Sequence, residues 1–203
     1  MLAIDHFYIS ISKEQFRQVK EELILLEDVE HKVTVRPDFT YEGIYLKFDN
    51  NTYFEVLCAD CDVPVGTIGI AISDLENNDK LTKVLKSNYS SSEKLETEDV
   101  KKEGKKWFKY MNKPFKPDLY LWSMQYFDSF LTQRIDYCKK SQTKLVSAVA
   151  HTTLTTSDIT SRLELGKELI EGSNISFIEV NASDKKKLSL KFIQKDRTYD
   201  FVF

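Results

Sequence analysis

LKFDNNTYFEVL, residues 46–57, and LKFIQKDRTYDFVF, residues 190–203, follow nearly one pattern: Leu-Lys-Phe, a polar turn, Thr-Tyr, and an apolar run. Each reads as a β-hairpin from its alternation and its turn residues. Any hairpin with one buried face can look like this, so what precedes each hairpin decides whether a larger unit is repeated. Before the first, residues 4–11 alternate as a strand and Ser12-Lys13-Glu14-Gln15 has the form of a capping box. Phe16, Val19, Leu23 and Leu26 then fall on one helical face. Strands follow at 32–36, 43–48 and 52–58, giving the order βαβββ.

The order recurs. Residues 67–72 read as a strand, Ser73-Asp74-Leu75-Glu76 as a second capping box, and Leu81, Val84 and Leu85 as a helix face. The polar stretch 88–106 reads as a mobile loop or a weak edge pair, followed by strands at 107–111 and 119–127 and a connecting helix at 130–138. A third series has a strand at 146–155, a helix capped by Ser157 or Asp158 that ends at Gly172, and strands at 175–180, 188–193 and 198–203. The registers agree with this reading. In IDHFYISIS (4–12) and VAHTTLTTS (149–157), His6 and His151 stand six residues before Ser12 and Ser157, and Thr67 holds that place before Ser73. The expected fold is α+β, with three tandem βαβββ units at 1–62, 63–142 and 143–203.

Composition narrows the function classes. The chain has 203 residues, 41% hydrophobic and 30% charged, with a formal net charge of −3. That is the balance of an ordinary globular protein with no basic footprint for nucleic acid. No apolar run approaches the ~20 residues of a membrane span. The N-terminal MLAIDHFYISIS has no basic region ahead of a long apolar core, so the expected compartment is the cytoplasm. Three cysteines, Cys58, Cys61 and Cys138, do not make a disulfide framework, and the CxxC of Cys58 and Cys61 has no second pair to complete a zinc site. The lysine pairs at 101–102 and 105–106 and the run at 185–187 are interleaved with acids and read as solvated loop charge.

Asp5-His6 early in a first strand and Glu55 in a fourth, within tandem βαβββ units, resemble the vicinal-oxygen-chelate superfamily. That superfamily includes glyoxalase I, the fosfomycin and bleomycin resistance proteins, and the extradiol dioxygenases. GIYLKFDNNTYFEVL (43–57) and LYLWSMQYFDSFL (119–131) are similar to an uncharacterised glyoxalase-like branch. The resemblance implies two units curled around a cleft, with ligands from first and fourth strands converging on one divalent metal, Zn, Ni, Fe or Mn. Here the metal ligands would be His6 and Glu55, completed by Gln125 or by His151, and Glu55 would be the catalytic base.

Without a metal, the same cleft would bind a small molecule through His6, Tyr8, Tyr53, Trp122, Gln125 and Tyr126. Three function classes follow. They are a glyoxalase-like binding module, a metal-dependent lyase, isomerase or dioxygenase, and an assembly protein whose unpaired third unit closes a homodimer. The plainer reading makes His6 a half-buried histidine bonded to Asp5, and Trp122, Tyr126 and Phe127 core residues. For the last hairpin, aligning Thr198-Tyr199 on Thr52-Tyr53 puts Phe201 inward and Asp200 outward, which makes the repeat a folding device and not a second ligand half.

Overall fold

β1 (Leu2–Ile11) alternates from His6 onward, with Phe7, Ile9 and Ile11 against the main core. Ser12 ends it and starts α1 (Lys13–Leu23), where the expected capping box is present. The Gln15 amide donates to Ser12 Oγ at 3.3 Å and the Ser12 amide donates to Gln15 Oε1 at 3.3 Å. Phe16 and Leu23 are the buried residues of this helix. Then come β2 (Val29–Val35), β3 (Thr40–Lys47), β4 (Tyr53–Cys58), β5 (Ile68–Asp74), β6 (Glu96–Lys102), β7 (Lys105–Lys116) and β8 (Leu119–Tyr126). α2 (Asp128–Lys139), β9 (Lys144–Thr152), β10 (Ile175–Glu179), β11 (Lys187–Gln194) and β12 (Arg197–Val202) complete the order. This computed structural model describes residues 2–35, 40–59, 63–76, 81, 96–102, 104–116, 119–152, 173–181 and 187–203. The fold is mixed α+β, as expected.

The strands form two sheets. The larger has eight strands in the order β2-β3-β4-β1-β5-β8-β7-β6. Its two halves mirror each other: β1 pairs in parallel with β4, β5 in parallel with β8, and β1 and β5 join antiparallel at the centre. The second capping box is not formed. Ser73 and Asp74 are the last residues of β5, and Asp74 Oδ1 instead accepts the Glu76 amide at 3.2 Å. Of the helix expected after residue 76 only Leu81 is described, and it is helical and buried in the main core. The helix expected after residue 157 and residues 88–95 of the polar stretch lie outside the described residues. Of the two expected readings of this stretch, loop or edge pair, residues 96–102 take the second: β6 pairs along β7 at the edge of the sheet, with Gly104 at φ 78° in the turn.

The third series departs from the expected copy. Its sheet runs β10-β9-β11-β12, so its first strand has β10 and β11 as neighbours, whereas β1 has the last strand of its own series, β4, beside it. The two look-alike hairpins also differ in register. Leu46 stands opposite Phe54, but Leu190 stands opposite Phe201, two residues beyond Tyr199. Their turns explain the difference. Lys195 and Asp196, at φ 49° and 61°, make a two-residue turn with both central φ angles positive, whereas 48–52 is a longer loop with Asn51 at φ 65°. Phe201 packs 5.9 Å from Phe192 and Asp200 is exposed, the orientation expected from the Thr-Tyr alignment.

The second sheet has no separate core. Leu145, Ala148, Leu188, Leu190 and Phe192 belong to the same buried cluster as Phe7, Ile9, Phe54 and Val56 of the large sheet. Phe48 meets Phe192 at 6.3 Å and Phe54 meets Phe203 at 5.2 Å. A fully buried Phe contributes roughly 1.5–3 kcal/mol by removal from water, so these contacts bind the sheets strongly. Polar clamps fix the join. Asp28 accepts from Ser141 Oγ at 3.0 Å, the Gln142 amide at 3.0 Å and Thr143 Oγ1 at 2.9 Å. Gln194 Nε2 donates to the Glu27 carbonyl at 2.6 Å and to Thr143 Oγ1 at 2.7 Å. One face of the large sheet is thereby covered by α1 and the second sheet. The other face carries the candidate site. Among the described residues no helix is long and apolar enough to cross a membrane.

Candidate functional site

His6, Tyr8, Tyr53 and Glu55 share one face of the large sheet, because the parallel pairing sets His6 beside Tyr53 and Tyr8 beside Glu55. Across the central joint, His6 lies beside Ala71 and Ala71 beside Trp122. Alternation therefore puts Trp122, Met124 and Tyr126 on that same face. It also corrects one expectation: Gln125 lies between Met124 and Tyr126 and projects to the opposite face, so it is not a cleft residue. His151 is a second correction. It sits on β9 in the other sheet, beside Ile178 and Lys187, away from His6 and Glu55. Burial and the Lys187 charge lower its pKa.

The centre of the face is an ionic cluster. The register of β1 against β5 shifts between Ile4 and His6, so Asp5 is an inserted bulge residue. Its fully buried carboxylate receives His6 Nδ1 at 2.8 Å, Tyr126 Oη at 3.3 Å and Arg134 Nε at 2.9 Å. Arg134, on α2, also donates Nη2 to the carbonyls of Asp5 and Asn51, both at 2.8 Å. Burial on its own would raise the Asp5 pKa, but the Arg134 charge and the bond from His6 outweigh it and hold the carboxyl at about 2. An ionised carboxylate only accepts, so His6 Nδ1 carries the hydrogen. The imidazole stacks on Tyr53 at 4.5 Å and meets the edge of Trp122 at 5.1 Å, and Arg134 lies over the Tyr53 ring at 5.2 Å.

Tyr8 is positioned by an absence. A Cβ on Gly69 would come 1.9 Å from Tyr8 Cε1, so only glycine on β5 lets this ring lie flat across the strand. Glu55 is buried behind Tyr45, whose phenol is bonded to it and to Tyr41; burial, then the Glu55 charge, push the Tyr45 pKa far up. The Trp122 indole N–H is buried with no partner among the described residues.

Above this floor opens a cavity of about 800 Å³. Residues of β2 and β6, the first and last strands of the sheet, both line it, so the sheet curls until its two edges face one space. Tyr45, Tyr53 and Tyr126 are on its strand side, and Phe130, Arg134 and Tyr137 line it from α2. Of the expected ligand-binding residues, Tyr53 and Tyr126 line the cavity, whereas His6, Tyr8 and Trp122 are packed in the sheet and do not.

The residues present do not fit the divalent metal. His6 Nδ1 and both Asp5 oxygens are already bonded, and the Arg134 guanidinium is a fixed cation resting on Asp5, where a metal ion would meet its charge. Gln125 and His151 point elsewhere, and among the described residues no group of three or more His, Cys, Asp or Glu could hold an ion. Arg134 itself was not singled out from sequence. Its signal is Phe130, Arg134, Tyr137 and Cys138, a helical spacing that puts an arginine in the middle of the inward stripe.

The class these features define is an α+β protein with a curled sheet and an aromatic cavity. No protein-family model matches the chain, and no curated protein matches it. One solved structure, "Crystal Structure of a hypothetical protein from Staphylococcus aureus", is similar at 10% identity and a TM-score of 0.47, covering 100% of this chain and 85% of that one. A likeness at that level carries no argument about fold or function.

Proposed function

We propose that this chain is a small-molecule-binding protein that uses the cavity between its curled sheet and α2 without a metal. The observation that carries this reading is the cavity itself, within the range of small-ligand sites (about 300–1,000 Å³) and walled by Tyr, Trp and Phe with a few fixed polar groups. The mirrored strand order of the two halves supports reading residues 1–62 and 63–142 as paired βαβββ units of the vicinal-oxygen-chelate kind. On that reading α2 has taken over the centre of the cleft, and the Asp5–Arg134 pair stands where the superfamily would place its metal. Glu55 then holds Tyr45 in place and is not a base.

The test uses a neutral fluorescent probe, N-phenylnaphthylamine, with the full chain. One saturable site per chain is expected. Gln133→Trp on α2 and Val33→Trp on β2, both at exposed wall positions, should fill the opening and abolish binding while the unfolding midpoint holds. Undiminished binding in both variants, with the fold intact, would sink the proposal.

A further inference from the structure

The cavity wall is charged in a way the rest of the chain is not. The protein carries a net −3, yet among the described residues three basic groups, Lys32, Lys101 and Arg134, line the cavity against one acid, Asp99. Pairing among the described residues does not remove the excess. Asp5 cancels Arg134, and Lys106 at 2.7 Å cancels Asp99. Glu30, however, is shared between Lys32 at 2.5 Å and Lys47 at 2.6 Å, and so neutralises only one of them. Lys101 adds a further charge from the opposite edge. Glu55, held behind Tyr45, lowers the excess by one and leaves it positive.

The two lysines are also well placed. Lys32 is on β2 and Lys101 on β6, the two edges that the curl brings to one cavity. The Lys32 ammonium lies over the Tyr45 ring at 5.1 Å and over the Tyr137 ring at 4.9 Å, which fixes a cation at the margin of the aromatic wall. The phenols of Tyr45, Tyr53, Tyr126 and Tyr137 all have raised pKa values, each chiefly from burial, so they stay neutral donors and add no negative charge.

We infer that the natural ligand is a planar aromatic anion, its ring system against the tyrosine and tryptophan wall and its acidic group between Lys32 and Lys101. This rests on the cavity being a ligand site, and the experiment separates the two claims. Anilinonaphthalene sulfonate and N-phenylnaphthylamine share one ring skeleton and differ by the sulfonate. Both are titrated against the wild-type chain at low and at high salt. The anion should bind about tenfold tighter at low salt, the equivalent of one half-exposed ion pair, and that advantage should shrink as salt rises.

In Lys32→Met and Lys101→Met the ratio of the two affinities should fall toward one. The wild-type ratio decides the matter even if a variant folds poorly. Equal or tighter binding of the neutral probe would overturn the anion preference and leave the binding reading standing. Saturable binding of neither probe would remove both.

Discussion

Replacing Arg134 with methionine tests the centre of the site most directly. The substitution keeps the length and apolar stem of the side chain and deletes the guanidinium. Asp5 would keep its bonds from His6 and Tyr126 but lose its ion partner in a position where its side chain has no solvent exposure, and the carbonyls of Asp5 and Asn51 would lose their donor. Breaking a buried pair from one side costs about 3–5 kcal/mol, because the remaining charge is left uncompensated. The sign of the pH dependence follows. In the wild type the Asp5 carboxyl is lowered from 3.8 to about 2, so its contribution of about 2 kcal/mol is complete above 3.8 and lost as pH falls toward 2. In Arg134→Met, burial dominates and raises that carboxyl, so protonation relieves the stranded charge. The deficit should therefore be largest near neutral pH and should narrow on acidification while the wild type is still unaffected. Urea unfolding followed by circular dichroism at neutral and mildly acidic pH reads both effects. Asp5→Asn with Arg134→Met should recover at least about 2 kcal/mol relative to the sum of the single changes. A single-variant deficit below about 1 kcal/mol, strict additivity, or a deficit that widens with acid would refute the argument.

Other outcomes follow from the packing. Gly69→Ala should cost about 1–3 kcal/mol in chemical denaturation, because its Cβ meets the Tyr8 ring, and adding Tyr8→Leu should restore part of the loss. Phe192→Ala, at a fully buried position, should cost about 3–5 kcal/mol, the half-buried Phe201→Ala less, and the exposed Asp200→Asn within about 0.5 kcal/mol of zero. Thr143→Val removes the hydroxyl that serves Asp28 and Gln194 at the join of the sheets; it should cost about 1–3 kcal/mol, and Thr143→Ser should recover most of that.

Sequence alone determined what depends on neighbours a few residues apart. The Ser12–Gln15 cap, the alternation of β1, the hairpins of the last strands and the inward turn of Phe201 all follow from local periods and turn chemistry. So does the shared face of His6 and Glu55, once their strands pair in parallel. Tertiary structure decided the rest. The second capping box failed because Ser73 was drawn into β5, and for residues 96–102, left open between loop and edge pair, the partner offered by β7 chose the edge strand. The third series looked like a copy in its letters, yet its sheet is wired differently, with β9 between β10 and β11 where β1 has β4 beside it. Gln125 missed the site by one position, the smallest error alternation allows, and it put the side chain on the other face. Arg134 meets Asp5 across 129 residues of chain, a pairing no local pattern encodes. A helix packed into a curled sheet, and a carboxylate bulged toward it, set that contact and with it the floor of the cavity.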